Sequence, residues 1–257
     1  MGININELIT PLLALWLPFV RITAFFHFCP VFEQRALPRK VKAGLALLLS
    51  ILITPMLHNT VVLHALMNVQ TLWLTGEQIL WGFLFGQMLG WVFHALQAAG
   101  AILSMNMGLG MAVMNDPGSG SSTMVVSQII YVFSVLLFFS MDGHLLLLTV
   151  LYKSFTYWPI GQAINQLTLR TLLTGVGWII ASALLLALPA VFVMLIVQGT
   201  FGLLNRVSPT LNLFALGFPI SMLFGLFCLV MMSSSIPEHY LSLTNQVLAQ
   251  LDRLRSF

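Results

Sequence analysis

Charge is what this sequence has least of. Of its 257 residues, 10 are Lys or Arg and 7 are Asp or Glu, only 7%, against about 25% in a typical soluble domain. So few charges cannot cover the surface of a soluble fold of this length, which excludes an ordinary cytosolic enzyme, a nucleic-acid binder and a disordered chain. The net charge of +3 and the pI of about 9.1 follow from that scarcity and not from a basic patch. Cysteine is scarce too. Cys29 and Cys228 both lie in apolar runs; they read as buried thiols rather than a disulfide and match no metal-ligand spacing. HExxH, paired CxxC and GxxxxGK[ST] motifs are missing, so zinc hydrolysis and P-loop chemistry lack their parts. The chain is therefore expected to be no enzyme, with no catalytic residue, no metal and no cofactor.

What fills the chain is apolar sequence: 59% hydrophobic residues and a mean hydropathy of +0.98. The gaps between charges mark the membrane segments. Lys42 and Glu77 enclose 34 uncharged residues, Glu77 and Asp116 enclose 38, and Asp116 and Asp142 enclose 25. Arg170 and Arg206 enclose 35, and Arg206 and Glu238 enclose 31. A spanning helix needs about 20 residues, so each gap is long enough. Blocks such as 183–197 are apolar all round, which fits helices and not the alternating strands of a membrane barrel. Six apolar segments follow, near 10–32, 43–67, 72–104, 125–151, 172–200 and 211–236. The expected fold is all-α, with about six long apolar helical segments forming one integral membrane domain over 1–257. The first segment is long, holds Glu7 and no Lys or Arg at its start, and ends without a small-residue cleavage site, so it does not read as a signal peptide.

Orientation is undecided by charge. The connection 33–42 carries Arg35, Arg39, Lys40 and Lys42 against Glu33, which the positive-inside rule makes cytoplasmic. If all six segments cross, the inner loops hold five Lys or Arg and the outer loops four, a margin too thin to set a topology.

Four features carry chemistry. Arg21 sits inside the first apolar segment, where a charge costs about 3 kcal/mol on insertion scales and needs a partner or water; interior pairing outweighs snorkelling to a headgroup. Asp142 and His144 flank Gly143 in an otherwise apolar stretch and read as a structural hydrogen bond before a proton relay. Gly82, Gly86 and Gly90 recur every fourth residue, with Gly100 beyond, a spacing that lets another helix approach closely, in this chain or in a second subunit. The stretch 104–124, SMNMGLGMAVMNDPGSGSSTM, holds five of the 14 Met together with Gly108, Gly110, Gly118, Gly120 and the Asp116-Pro117 turn signal. Irregular backbone of this kind is tolerated at membrane depth only inside protein or along an aqueous path. It reads either as a deformable pore plug or as an exposed connection.

Several blocks, in order, resemble the FliR family of flagellar type III export-gate subunits, whose injectisome relatives are SctT-like. They are LPFVRITAFFHFCPVFEQRALPRKVKAGLALLLSILITP (17–55), QAAGAILSMNMGLGMAVMNDP (97–117), FFSMDGHLLLL (138–148) and GTFGLLNRVSPTLNLFALGFPISMLFGL (199–226). The last is the most specific, with Asn205, Arg206, Pro209, Asn212 and Pro219. The resemblance implies a non-enzymatic channel subunit of a bacterial inner membrane, at the flagellar basal body. It implies assembly with FliP and FliQ into a helical, closed-bottom complex of kinked hairpins, with FlhB, and FlhA, beside it and unfolded flagellar proteins as cargo. It also implies a FliP-like part followed by a FliQ-like part. Carried onto this chain, the family's pore plug is about 106–122. Its residues are Met107, Gly108, Gly110, Met111, Val113, Met114, Asp116 and Pro117, with Met111, Val113 and Met114 at the tip. Arg21 and Arg206 are the expected buried charges. The competing reading is a small secondary transporter using Arg21, Asp142 and His144, which lacks the related halves such folds show.

Overall fold

The structure, a computed structural model, describes residues 5–33, 38–57, 68–111, 113–115, 122–161, 166–207 and 213–253. Among these the fold is helical, with one short hairpin. The helices are α1 (Ile5–Phe28), α2 (Pro30–Glu33), α3 (Arg39–Ile53), α4 (Val69–Asn106), α5 (Val125–Ser140), α6 (Gly143–Tyr157), α7 (Gln166–Val207), α8 (Leu213–Ser233) and α9 (Ile236–Arg253). Strands β1 (Val113–Asn115) and β2 (Ser122–Met124) pair antiparallel, with Val113 opposite Met124 and Asn115 opposite Ser122.

Among the described residues, two helices are long and apolar enough to cross a membrane, Val69–Asn106 and Leu173–Val207. The number rises to four if Val125–Ser140 with Gly143–Tyr157, and Pro219–Ser233 with Ile236–Asp252, each count as one broken span. Among the described residues the apolar segments are thus not all uniform spans, and local chemistry explains why. Pro55 cannot donate to a helix ladder, so α3 stops at Ile53 and closes in a single 3₁₀ turn at Thr54–Met56. Asp142 adopts the left-handed conformation, with φ 55°, and separates α5 from α6. Pro189 and Pro219 lie inside α7 and α8, where neighbouring residues in a membrane helix can satisfy the freed carbonyls.

The chain forms two compact units, each built from non-contiguous stretches. The first comprises Met1–Gly90, Asp142–Thr174 and Ala249–Phe257. Here α3 runs along α1, and Leu13, Leu17 and Leu74 form a buried cluster. Trp81 stacks on Trp158 with centroids 4.7 Å apart, and Phe85 closes on the same ring. The second unit comprises Trp91–Met141 and Gly175–Leu248. Phe93 is its aromatic centre, within 6.3 Å of the rings of Tyr131, Phe138 and Tyr240. Along α7, Ala183, Ala187, Ala190 and Met194 are buried, a single narrow stripe at helical spacing.

Burial is uneven between the long helices. In their most apolar windows 72% of α4 is buried but only 28% of α7. Leu185, Leu188, Phe192 and Ile196 stand on the exposed side of α7. Helix α9 is different in kind. It buries Ile236, Tyr240, Leu243, Thr244, Val247 and Leu251, spaced to form one amphipathic face.

Candidate functional site

Two places combine polar chemistry with close packing. The first is built around Arg21, which is fully buried. Its Nε donates to Gln78 Oε1 at 2.7 Å. Its Nη1 donates to the carbonyls of Ser154 and Trp158, each at 2.9 Å. The guanidinium carbon stands 4.5 Å from the centroid of Phe155. Helix α6 ends at Tyr157, so Arg21 caps a helix C-terminus. The Ser154 carbonyl also accepts the Trp158 N–H at 3.2 Å, and carbonyls at a helix C-terminus carry partial negative charge, which a cation complements. Among the described residues no carboxylate lies within ion-pair distance of Arg21. Glu77, the residue before Gln78, is buried as well and accepts a long 3.5 Å bond from Trp81 Nε1. The arrangement ties α1, α4 and α6 together through one side chain that a flat guanidinium can serve and an ammonium cannot match.

Small residues make that cluster possible. A Cβ at Gly82 would overlap the carbonyl oxygen of Arg21 and stand 2.6 Å from Ala24 Cβ. One at Gly86 would stand 2.9 Å from Phe25 O. The glycine face of α4 therefore receives α1 of the same chain. Gly100, farther along, meets α5, where a Cβ would stand 2.8 Å from Ser127 Cα; Ser127 Oγ donates back to Gln97 O at 2.8 Å. Gly90 is buried in the same helix.

The second place lies in the other unit, where α4 gives way to the hairpin. Met107 is fully buried. Its side chain fills the space beside Gly225 of α8, so that a Cβ there would overlap Met107 Cγ. Gln198 of α7 donates its Nε2 to Asn106 O at 2.8 Å. Gly108 has φ 77°, a left-handed turn that ends the helix at little cost only in glycine. A 3₁₀ turn at Leu109–Met111 follows, then β1 with Val113 and Met114, and β2 runs straight into α5. Gly110 lies within the 3₁₀ turn. The connection 116–121, with Asp116 and Pro117, lies outside the described residues.

Several expectations change. Met107 is a buried anchor at the root of the loop and not an exposed part of it. Arg206 is exposed, which corrects its assignment as a buried charge. It lies in the last turn of α7, where a cation complements the helix dipole from the solvent side. Asp142 and His144 are exposed at the break between α5 and α6, and neither is a partner of Arg21, so the three groups of the transporter reading do not come together. Gln78, Ser154 and Trp158, and at the second site Gln198 and Gly225, escaped sequence reasoning. The only signal for them was a polar residue inside an apolar run: Gln78 within 72–104 and Gln198 within 172–200.

Fold and sites together define an all-α integral membrane protein whose buried polar groups join helices. A family model described as bacterial export proteins, family 1, matches residues 12–247, and the chain belongs to that family. It is 36% identical over 239 residues to the flagellar biosynthetic protein FliR of Pectobacterium carotovorum subsp. carotovorum, covering 91% of this chain and 90% of that one. FliR of Escherichia coli strain K12 is 33% identical, over 81% of this chain and 80% of its own length. Yop proteins translocation protein T of Yersinia pestis is 29% identical, over 87% of this chain and 88% of its own.

Proposed function

We propose that the chain is a structural subunit of the flagellar type III protein export gate. It assembles with FliP and FliQ into the closed entry pore, next to FlhB and FlhA, in the inner membrane at the base of the flagellum. Unfolded flagellar proteins pass through that pore, and the chain itself catalyses no reaction. The hairpin region 106–122 is its plug. One observation carries this reading: the likeness to FliR proteins covers 91% and 81% of this chain and 90% and 80% of those relatives, most of the chain and not a borrowed segment.

Physical features agree with it. Helix α7 leaves most of its apolar window exposed, a surface that lipid or neighbouring subunits must cover. The Met- and Gly-rich loop suits a seal that must exclude ions and then yield to a polypeptide, because soft apolar groups re-pack without fixed hydrogen bonds. The division into a FliP-like and a FliQ-like part belongs to the same proposal. Mild-detergent extraction of tagged chain, co-produced with FliP and FliQ, tests it. All three should elute together; a lone monomer or homodimer would overturn the subunit assignment.

A further inference from the structure

The root of the hairpin is held from two sides. Gln198 reaches from α7 to the carbonyl of Asn106, the last residue of α4. Asn106 Nδ2 donates back to Ile102 O at 2.8 Å, so this residue is locked on its own helix while its carbonyl is held by another. One residue on, Met107 is fully buried against Gly225 of α8. Its own N–H still bonds Leu103 O at 2.9 Å, so helical geometry persists up to the seat. Immediately after it, Gly108 turns the chain with positive φ, and its N–H closes on Met105 O at 3.1 Å. The helical hydrogen-bond pattern therefore stops between Met107 and Gly108, and the backbone changes direction at that point.

We propose that Gln198 and Gly225 are positioning residues for the hairpin. Gln198 holds the Asn106 carbonyl and Gly225 leaves the seat that Met107 fills. Through them α7 and α8 determine where the hairpin stands, and movement of either helix is transmitted to it. Gln198 is a polar residue in an otherwise apolar stretch of α7, and the bond its amide makes in this structure runs to the Asn106 carbonyl. At Gly225 any side chain would displace Met107 and not backbone, so the seat is specific to the pair. The inference rests on the hairpin being the plug, but its consequence for hairpin position does not.

The test uses the full chain produced with its export-gate partners, with ion flux across the membrane and recovery of the complex both measured. Gln198→Leu and Gly225→Val should assemble at wild-type yield and raise ion flux about fivefold, the shift one ordinary hydrogen bond imposes on an equilibrium. In a chain lacking 110–120 the same substitutions should add nothing. A second readout follows the hairpin itself: labelling of Ser122→Cys by a membrane-impermeant thiol reagent should quicken about as much when Gln198→Leu is added. If the deletion leaks while Gln198→Leu stays tight and its labelling rate is unchanged, the positioning inference is overturned and the plug stands. If the deletion is tight but the labelling rate still rises, the plug reading fails and the positioning survives. Should Gly225→Val fail to assemble, Gln198→Leu decides alone, because that side chain is exposed and its loss leaves the helix core intact.

Discussion

Gly82 of α4 lies directly against the main-chain carbonyl of Arg21 in α1. The residue that permits close approach and the residue that carries the buried charge are therefore one contact. Bringing α1 that near to α4 puts Arg21 Nε within 2.7 Å of Gln78 Oε1, a turn earlier on the same helix. Separating the helices by the width of a methyl group would break that bond and leave a buried guanidinium short of an acceptor, which is far more costly than the lost packing alone.

The glycine face yields a prediction with its own control. Gly86→Leu forces backbone of α1 away, because a Cβ there meets Phe25 O and not a flexible side-chain tip. Overpacking against backbone costs about 3 kcal/mol or more, and recovery of the assembled complex should fall sharply. Gly76→Ala on the same helix has open space around it and should be stabilising by about 0.5–1 kcal/mol. Equal recovery of both variants would dissociate the glycine face from packing.

Arg21 acts through a fork of donors. Arg21→Leu strips the Gln78 amide oxygen and the Trp158 carbonyl of this donor and leaves the Ser154 carbonyl with the Trp158 N–H. Unsatisfied buried acceptors cost about 1–3 kcal/mol each, so thermal stability in detergent and swimming motility should both drop. Arg21→Lys keeps the charge at the end of α6 but cannot reach both sides of the cluster, and its loss should be intermediate. Wild-type motility in both variants would reduce Arg21 to a bystander.

Deleting 110–120 removes the end of the 3₁₀ turn, the whole of β1 and the connection towards β2, while sparing the Met107 anchor. Assembly should persist, whereas ion conductance of cells producing the complex should rise. A deletion complex as ion-tight as wild type would move the seal to the partner subunits.

Lys153 and Asp252 form an ion pair at 3.1 Å, with Lys153 half-buried and Asp252 exposed. Tyr157 OH also donates to Asp252 Oδ1, at 2.9 Å. Exposed pairs of this kind contribute less than about 1 kcal/mol, so Lys153→Ala should leave stability nearly unchanged, and high salt should erase what difference there is. A loss as large as that of Arg21→Leu would mean the pair is buried in the assembly.

How much of this was readable beforehand differs from residue to residue. Arg21 announces itself, since a charge in an apolar run must find partners. Its partners do not: two of them are backbone carbonyls, present at every position, and become special only because α6 happens to end there. The regular spacing of Gly82 and Gly86 indicates close helix approach, yet it is silent on which helix comes. Helix α9 is missed by a search for apolar runs because its burial lies along one face, while its remaining residues are polar.

The sequence by itself determined the class of protein and the character of its segments. Scarce charge and long apolar runs leave helices in a membrane as the backbone's way to satisfy itself, and Pro55 and the Gly108 turn act locally. The tertiary structure alone decided that α1 fills the glycine face of α4, that Arg21 caps α6, that Arg206 stays exposed, and that Met107 is buried as the anchor at the root of the hairpin. The physical reason is range. Propensity, hydropathy and turn chemistry act between near neighbours in the chain, whereas Gln78, Ser154, Gln198 and Gly225 acquire their roles only when packing brings distant stretches within hydrogen-bond or van der Waals reach.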